Sequence, residues 1–279
     1  MSLPDGLINV GDEAFAGCNN LAQMMIPKSV TRIGKGVFIG CNRIDEFAVA
    51  TENAFFKSAN GLLMTKDGKA LICGVNVRGE MVIPDGVVNI DDSAFSVCGG
   101  LTSVTIPDSM TSIGKRAFFG CDGLTSVKIG NGVRIVGEYA FYNCSALESL
   151  TIPDSVVNIG DRVFSECASL SVVTIGSGLT SIGASAFSYC SSLTEVVIPD
   201  NVTDIKAEAF SCCGLVRVTV GKGVTIVGPW FSGCSGLTNV TMHDGVTEIW
   251  SDAFAGCSAL KNMVIPNSVT NIGDYAFYQ

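Results

Sequence analysis

The sequence predicts a β-rich solenoid of 23-residue coils with short parallel strands, and two observations carry that prediction. Phenylalanine recurs every 23 residues along the middle of the chain, at Phe95, Phe118, Phe141, Phe164, Phe187 and Phe210. Around each of them the pattern L-x-x-V-x-I-P-D-S-V-x-x-I-G-x-x-A-F-x-x-C is repeated. A fixed period of this length is typical of a stacked repeat, in which one unit buries its apolar side chains only against the next.

Each regular repeat reads as four pieces in a fixed order. A short strand such as 147–152 is followed by a Pro-Asp-Ser or Gly-x-Gly turn, then by a second extended piece such as 156–159. After a strand of about five residues and two turns, only about seven residues remain, which is too few for a real helix. We therefore expect A-F-x-x-C to form a single helical turn, and the stack to curve gently.

One unit is irregular. The next Ile-Pro after the first coils does not arrive until Ile83, which leaves 50–82 as an insert. Within it, two apolar runs flank Lys66-Asp67-Gly68-Lys69, and Asp-Gly between such runs predicts a β-hairpin whose two central residues have positive φ. We expect this hairpin to project from the coil. The predicted organisation is a single domain with first coils at 1–49, an inserted hairpin unit at 50–82 and regular repeats at 83–279.

Near the C-terminal third, the repeat loses a residue at 227–231, and we expect the coil to stay closed there with local distortion. Both ends of the sequence fall inside a repeat, which suggests a piece of a longer protein.

Composition excludes several classes of protein. Apolar residues make up 47% of the chain and charged residues 15%, so it must bury much of itself and is not disordered. The net charge is −9, and lysine and arginine are scattered singly, which argues against nucleic acid and anionic membrane as partners. The sequence contains no run of 18 apolar residues, so no membrane span is predicted, and its first residues do not resemble a signal peptide.

Cysteine is unusually frequent, and most copies share one repeat position. Cys73 and Cys212 lie off that position. A row of identical small apolar thiols is typical of a stacked interior, although disulfides between neighbouring coils are an alternative. Without a C-x-x-C pair, and with one histidine, a zinc site is not predicted. The ten cysteines on the shared position are Cys18, Cys41, Cys98, Cys121, Cys144, Cys167, Cys190, Cys213, Cys234 and Cys257.

No motif predicts an enzyme, a cofactor or a metal. His243 is the one histidine, it occupies a turn slot, and no G-x-S-x-G accompanies it. The Gly-x-Gly segments occupy the same slot as Pro-Asp-Ser and lack the phosphate-loop lysine. A row of turn aspartates has two interpretations, a calcium site or carboxylates that satisfy turn amides. These aspartates are Asp108, Asp154, Asp200 and Asp244.

The inserted hairpin is one candidate binding surface, and the other, used with it or alone, is the outward side of the first strand. Its buried slots hardly vary, whereas its exposed slots drift from small hydroxyls to charged and amide groups, which indicates either neutral drift or a recognition strip. Trp230 and Trp250 add either an exposed pair that anchors a partner or a filling for the space left by the missing residue. The remaining candidates are Ser103, Thr105, Ser126, Lys128, Ser149, Thr151, Thr174, Glu195, Arg217, Thr219, Asn239 and Thr241, with Val172, Val197, Asn262 and Val264 in the same rows.

The repeat just described closely resembles the BspA-like class of leucine-rich repeats, over essentially the whole chain and including the unit around Lys66-Asp67-Gly68-Lys69. This resemblance implies a leucine-rich repeat coil, and the strand-crossover rule makes it right-handed. It also implies a secreted or surface-exposed, non-enzymatic protein that adheres to an extracellular protein, matrix ligand or glycan. The alternative function is a structural spacer whose ends associate with other copies.

Overall fold

A computed structural model describes residues 2–261 and 263–279 as a β-solenoid of about 11 turns. Its coils are spaced by about 23 residues, as predicted, and the described residues contain no helix. Most coils contribute one strand to each of two sides of the solenoid, which we call the broad sheet and the narrow sheet.

The broad sheet contains the longer strand of each coil. Its strands alternate between exposed and buried residues, for example along Ser149–Ile152, because one face covers the core and the other faces solvent. The strands are β2 (Gln23–Ile26), β4 (Glu46–Val49), β8 (Gly79–Val82), β10 (Leu101–Thr105), β12 (Ser126–Lys128), β14 (Ser149–Ile152), β16 (Val172–Ile175), β18 (Glu195–Val197), β20 (Arg217–Thr219) and β22 (Asn239–Thr241). Hydrogen bonds join them in three segments, β2 with β4, β8 through β16, and β18 through β22.

The narrow sheet is made mostly of two-residue strands from the V-x-x-I segment, most of which pair in parallel with the same segment one coil later. Hydrogen bonds join it in three segments, from Asn9–Val10 to Arg32–Ile33, from Phe56–Ala59 to Asp204–Ile205, and from Ile226–Val227 to Asn271–Ile272. An antiparallel meander of β5 (Phe56–Ala59), β6 (Leu62–Thr65) and β7 (Ala70–Gly74) joins it at the insert. The short strands are β1 (Asn9–Val10), β3 (Arg32–Ile33), β9 (Asn89–Ile90), β11 (Ser112–Ile113), β13 (Ile135–Val136), β15 (Asn158–Ile159), β17 (Ser181–Ile182), β19 (Asp204–Ile205), β21 (Ile226–Val227), β23 (Glu248–Ile249) and β24 (Asn271–Ile272).

The third side of the coil, which we call the turn side, differs from the predicted helical turn. A turn does close between Phe95 and Cys98, where the Cys98 N–H donates to the Phe95 carbonyl at 3.2 Å. Alternate amides, however, donate to the next coil: Phe95 N to Ala117 O and Val97 N to Phe119 O, both at 2.7 Å. Val97 has a φ of 63°, a left-handed conformation that re-aims the chain between these bonds. The coils are therefore hydrogen-bonded on all three sides.

The interior divides into two clusters of buried side chains. The main core runs from Leu62 to Ala276 and contains the regular repeats. The N-terminal core begins at Leu3, ends at Val75 and includes Phe38 and Phe47. The meander lies between them, which is why the insert divides the apolar interior.

The predicted hairpin is present, but the expectation that it projects from the coil is wrong. Strand β7 pairs in parallel with β9, so the meander continues the narrow sheet. Leu62 and Met64 pack into the main core, whereas Leu63 and Ile72 pack into the N-terminal core. The hairpin is buried on both faces because each face covers one of the two cores.

The hairpin turn also differs in detail from the expectation. Gly68 has a φ of 76°, whereas Asp67 is not among the residues with positive φ. The Asp67 carboxylate instead accepts hydrogen bonds from the Thr65 hydroxyl at 2.6 Å and from the Lys69 amide at 3.0 Å. Further along the hairpin, the register shifts between Leu63, which pairs with Cys73, and Met64, which pairs with Leu71, so Ile72 is the extra residue of a β-bulge.

The coil with the missing residue closes as expected. Phe210 N donates to Trp230 O at 2.9 Å, and the rings of Phe210 and Phe231 still stack with centroids 5.8 Å apart. The distortion is local because Trp230 takes the backbone position that alanine occupies in other coils.

Candidate functional site

The outer face, defined as the outward side chains of β10 through β22, is held in register by parallel pairing within β10–β16 and within β18–β22. Ser103 pairs with Ser126, which pairs with Ser149 on the next strand. The second row begins with Thr105 beside Lys128. Ser103 and Thr105 are half-buried, whereas the following members are exposed. The exposed members of the two rows are Ser126, Lys128, Ser149, Thr151, Thr174, Glu195, Arg217, Thr219, Asn239 and Thr241.

The outer face changes chemistry along its length. From β10 to β16 it presents hydroxyl and aliphatic groups, including Val172, which is 57% exposed. From β18 to β22, Glu195, Arg217 and Asn239 follow one another in register. No ion pair joins Glu195 to Arg217 within the described part of the chain. Both charged groups therefore remain available to a partner. Asn262, which the sequence places next in this row, lies outside the described residues.

The two tryptophans do not form an exposed pair, and that interpretation is wrong for Trp230. Trp230 is 5% exposed, and its ring meets the Phe231 ring edge-on at 6.1 Å. Its indole fills the space above Gly228, where a side chain would crowd the Trp230 Nε1. Trp250 is 50% exposed, follows β23 of the narrow sheet, and donates its Nε1–H to Glu248 at 3.0 Å. It therefore lies away from the outer face.

The cysteine row is an interior ladder of free thiols. Nine of the ten cysteines in the row are buried, as is Cys73 outside it, whereas Cys212 and the first member of the row, Cys18, are exposed. The Cys144 thiol donates to the Phe118 carbonyl at 3.3 Å, and this contact recurs along the ladder. Burial raises the pKa of Cys98 and of Cys167 to about 12, so these thiols stay neutral and unreactive at physiological pH.

The row of turn aspartates supports the interpretation that their carboxylates satisfy turn amides. Asp108 accepts the amide of Asn131 at 2.7 Å, and Asp200 accepts the amide of Lys222 at 2.9 Å, each in the following coil. Among the described residues, no group of three or more potential ligands is arranged to hold a metal ion. His243 is a half-buried turn residue whose Nδ1 accepts the amide of Gly245 at 2.9 Å.

The comparisons with known proteins decide the family. The description BspA type leucine rich repeat region matches residues 1–60, 79–190, 115–230 and 158–279. This chain belongs to the BspA-type leucine-rich repeat family. No curated protein sequence matches it.

Solved structures agree with this fold. A leucine-rich repeat protein from Bacteroides ovatus is 23% identical with a TM-score of 0.62, over 99% of this chain and 83% of that one. A leucine-rich repeat protein from Eubacterium ventriosum is 24% identical with a TM-score of 0.60. The match covers 100% of this BspA-type chain, which spans 63% of the length of that protein. A leucine rich cell surface protein from Faecalibacterium prausnitzii is 26% identical with a TM-score of 0.52, over 98% of this chain and 86% of that one.

The BspA-type chain also has a surface cluster on its turn side that the sequence reasoning missed. The guanidinium groups of Arg116 and Arg162 lie 5.5 and 5.8 Å from the centroid of the Tyr139 ring, one from each neighbouring coil. Beside them, Phe119 and Tyr142 stack at 5.1 Å. The spacing of 116, 139 and 162 by one repeat was the signal that these side chains meet.

A hydrogen bond from the Tyr142 hydroxyl to the Glu166 carboxylate raises the pKa of Tyr142 to about 12.

No helix in the described residues is long and apolar enough to cross a lipid bilayer.

Proposed function

We propose that this repeat protein is a non-enzymatic binding or adhesion module that recognises an extracellular protein or glycan through its outer face. The observation that carries the proposal is the run of Glu195, Arg217 and Asn239, three different polar groups side by side on neighbouring strands. Unpaired charged groups on a sheet provide specificity, because a partner must present the complementary pattern in the same order.

The scaffold beneath this run supports the proposal. Val196, Val218 and Val240, which alternate with the outward residues, are buried at 1%, 1% and 6% exposure. Their packing fixes the strands and leaves little backbone freedom to lose on binding. A rigid surface binds with a smaller entropic cost than a flexible one.

Family membership and one structural relative support a location at the cell surface or outside the cell. The Faecalibacterium prausnitzii relative is described as a cell surface protein. An exposed module with a net charge of −9 remains soluble and selects partners by local charge pattern.

A charge-exchange variant tests the proposal. Glu195→Arg combined with Arg217→Glu reverses both charges on the outer face and leaves the net charge unchanged. The matched control is Asp204→Lys with Lys206→Asp, which exchanges an exposed ion pair, 3.0 Å apart, on the narrow-sheet side of the coil. All three proteins would be applied to purified extracellular matrix proteins and to a glycan array, with circular dichroism as the folding check.

We expect a ligand that is retained by the parent and the control and is lost by the outer-face variant. Equal binding by both variants would contradict the use of the outer face. The structural spacer would be supported instead if the parent bound neither the matrix proteins nor the glycan array and if light scattering showed particles that grow as the protein concentration rises.

A further inference from the structure

The broad sheet is interrupted at the inserted unit. Strand β4 pairs with β2, and β8 pairs with β10, but within the described residues no pairing joins β4 to β8. The chain between them forms the meander of the narrow sheet instead. Each side of this gap, which we call the slot, therefore ends in a strand edge.

The edge of β8 carries unpaired backbone groups. The amides of Gly79 and Ile83 donate to Gly100 O at 2.8 Å and Thr105 O at 3.0 Å, both towards β10. Backbone groups of successive strand residues point to opposite edges, so the N–H and C=O groups of Glu80 and Val82 point into the slot. No backbone hydrogen bond of the described chain satisfies them there.

A cavity of about 360 Å³ runs along this edge. Glu80, Met81 and Val82 of β8 line it, together with Asp45 ahead of β4 and the β5–β6 turn at Asn60.

Side chains rather than backbone bridge the slot at one end. Asn76 Nδ2 donates to Asp45 Oδ1 at 3.1 Å, and Arg78 Nε donates to Asn76 Oδ1 at 3.1 Å. This polar bridge closes the end from which β4 and β8 begin and leaves their length open.

The outward rows of the broad sheet stop at the slot and resume beyond it. Glu46 ends one row on β4, and Glu80 resumes it on β8. Two residues further along, Ala48 ends the second row and Val82 resumes it, with Val82 71% exposed. A strand placed between them would have one outward side chain between two carboxylates and the next beside an exposed valine.

We propose that the slot binds an extended segment of a polypeptide partner by β-strand addition to β8. Main-chain hydrogen bonds to Glu80 and Val82 would provide affinity, as at other exposed sheet edges. The two carboxylates select lysine or arginine, and Val82 selects a β-branched residue two positions later. The inference rests on the proposed function only in taking the partner to be a polypeptide.

The test uses the whole chain and a labelled peptide, acetyl-Ser-Lys-Val-Thr-Val-Ser-amide, in fluorescence anisotropy. Val82→Pro removes an N–H that makes no hydrogen bond to β10, and proline is tolerated at such an edge. Val82→Thr is the matched control, because it keeps both the N–H and the branched side chain. We expect Val82→Pro to weaken binding by about tenfold or more and Val82→Thr to leave it unchanged.

Two further measurements do not depend on the proline variant. Glu80→Lys is expected to weaken binding of the lysine peptide and to favour the same peptide carrying glutamate in place of lysine. N-methylation of alternate peptide residues is expected to abolish binding.

Equal binding by the Val82→Pro and Val82→Thr proteins, or slow hydrogen exchange of the Glu80 and Val82 amides without peptide, would overturn the proposal. If the peptide test fails but the charge-exchange test finds a ligand that depends on Glu195 and Arg217, the binding function of the outer face still holds.

Discussion

The main core and the N-terminal core show how far one repeating side chain organises a solenoid. In the main core, the rings from Phe95 to Phe277 form an unbroken stack with centroids 5.0 to 5.8 Å apart. In the N-terminal core, Phe15 stacks on Phe38 at 5.6 Å, but the next ring, Phe47, is tilted by 52°. A coil in the stack has two neighbours to pack against, whereas each N-terminal coil is close to an end or to the meander. Coil stability therefore depends on the number and regularity of its interfaces.

The largest expected effect is the loss of a ring from either core. Phe141→Ala removes a fully buried side chain from the middle of the stack and should cost about 3–5 kcal/mol. Phe38→Ala, at 2% exposure, should cost a similar amount. The difference lies in which coils open. Hydrogen exchange should lose protection around 95–190 in the first variant and in the first 50 residues in the second. Uniform loss in both variants would show that the two cores unfold as one unit.

The next effect tests the junction between the two cores. Asn53 is 1% exposed, its side-chain amide donates to Pro27 O and Val30 O at 2.8 and 3.0 Å, and its carbonyl accepts two amides that begin the meander. Asn53→Ala leaves these groups unpaired and should cost about 3 kcal/mol in urea unfolding.

Asn201→Ala is the control for the junction, because Asn201 is exposed and makes one hydrogen bond, to Ser177 O. It should change stability by less than about 0.5 kcal/mol. Equal effects of the two substitutions would show that the meander does not depend on Asn53.

Glycine-to-alanine substitutions should have a smaller effect on stability, and they distinguish the closely packed coils from the open first coil. A Cβ at Gly178 would overlap the carbonyl oxygen of Asp154 in the preceding coil. Gly178→Ala should therefore cost about 1–3 kcal/mol. Gly11→Ala, in the first coil, meets no atom within 4 Å and should stay within about 0.5 kcal/mol of the parent. Thermal unfolding of both variants measures the difference, and a stable Gly178→Ala protein would show that the turns are further apart than described.

The smallest expected effect is a difference in reactivity between exposed and buried thiols, and it leaves the stability of the protein at neutral pH unchanged. A thiol reagent at pH 8 should modify Cys18 and Cys212 quickly and the ten buried cysteines slowly. Burial raises the pKa of Cys98 from 9.0 to about 12 and that of Cys257 to about 11. The stability that these neutral thiols contribute is present below pH 9 and is lost as the pH rises towards 12. Rapid reaction of all twelve thiols at pH 8 would contradict a closed interior.

Much of the fold could be predicted because it depends on spacing alone. Phe118 and Phe141 stack because they are one repeat apart, and Asp67-Gly68 turns a hairpin because glycine accepts positive φ. The burial of that hairpin was not predicted, although the sequence contains a pattern compatible with it. Leu62-Leu63-Met64 is a continuous apolar run, the pattern of a strand covered on both faces, but its length fitted a projecting hairpin equally well.

The site was less predictable, because it depends on details that the pattern does not contain. For Trp230, an exposed anchor and a filling for the shortened coil fitted the sequence equally well, and the buried ring supports the second interpretation. The slot beside β8 follows from which strands remain unpaired, and no single residue marks it. The left-handed φ of Val97 contradicts its side-chain preference, so the hydrogen-bonded turn side was not foreseen.

The hydrogen bonds that join the coils on three sides run along the axis of the stack, so they are parallel to a force that pulls its ends apart. Such a load would open the coils one after another, starting at an end. Each opened coil would release 23 residues, or roughly 75–80 Å of extended chain. Under tension the regular repeats would lengthen in equal steps, and in this way they would absorb mechanical work while the remaining coils keep their surface intact.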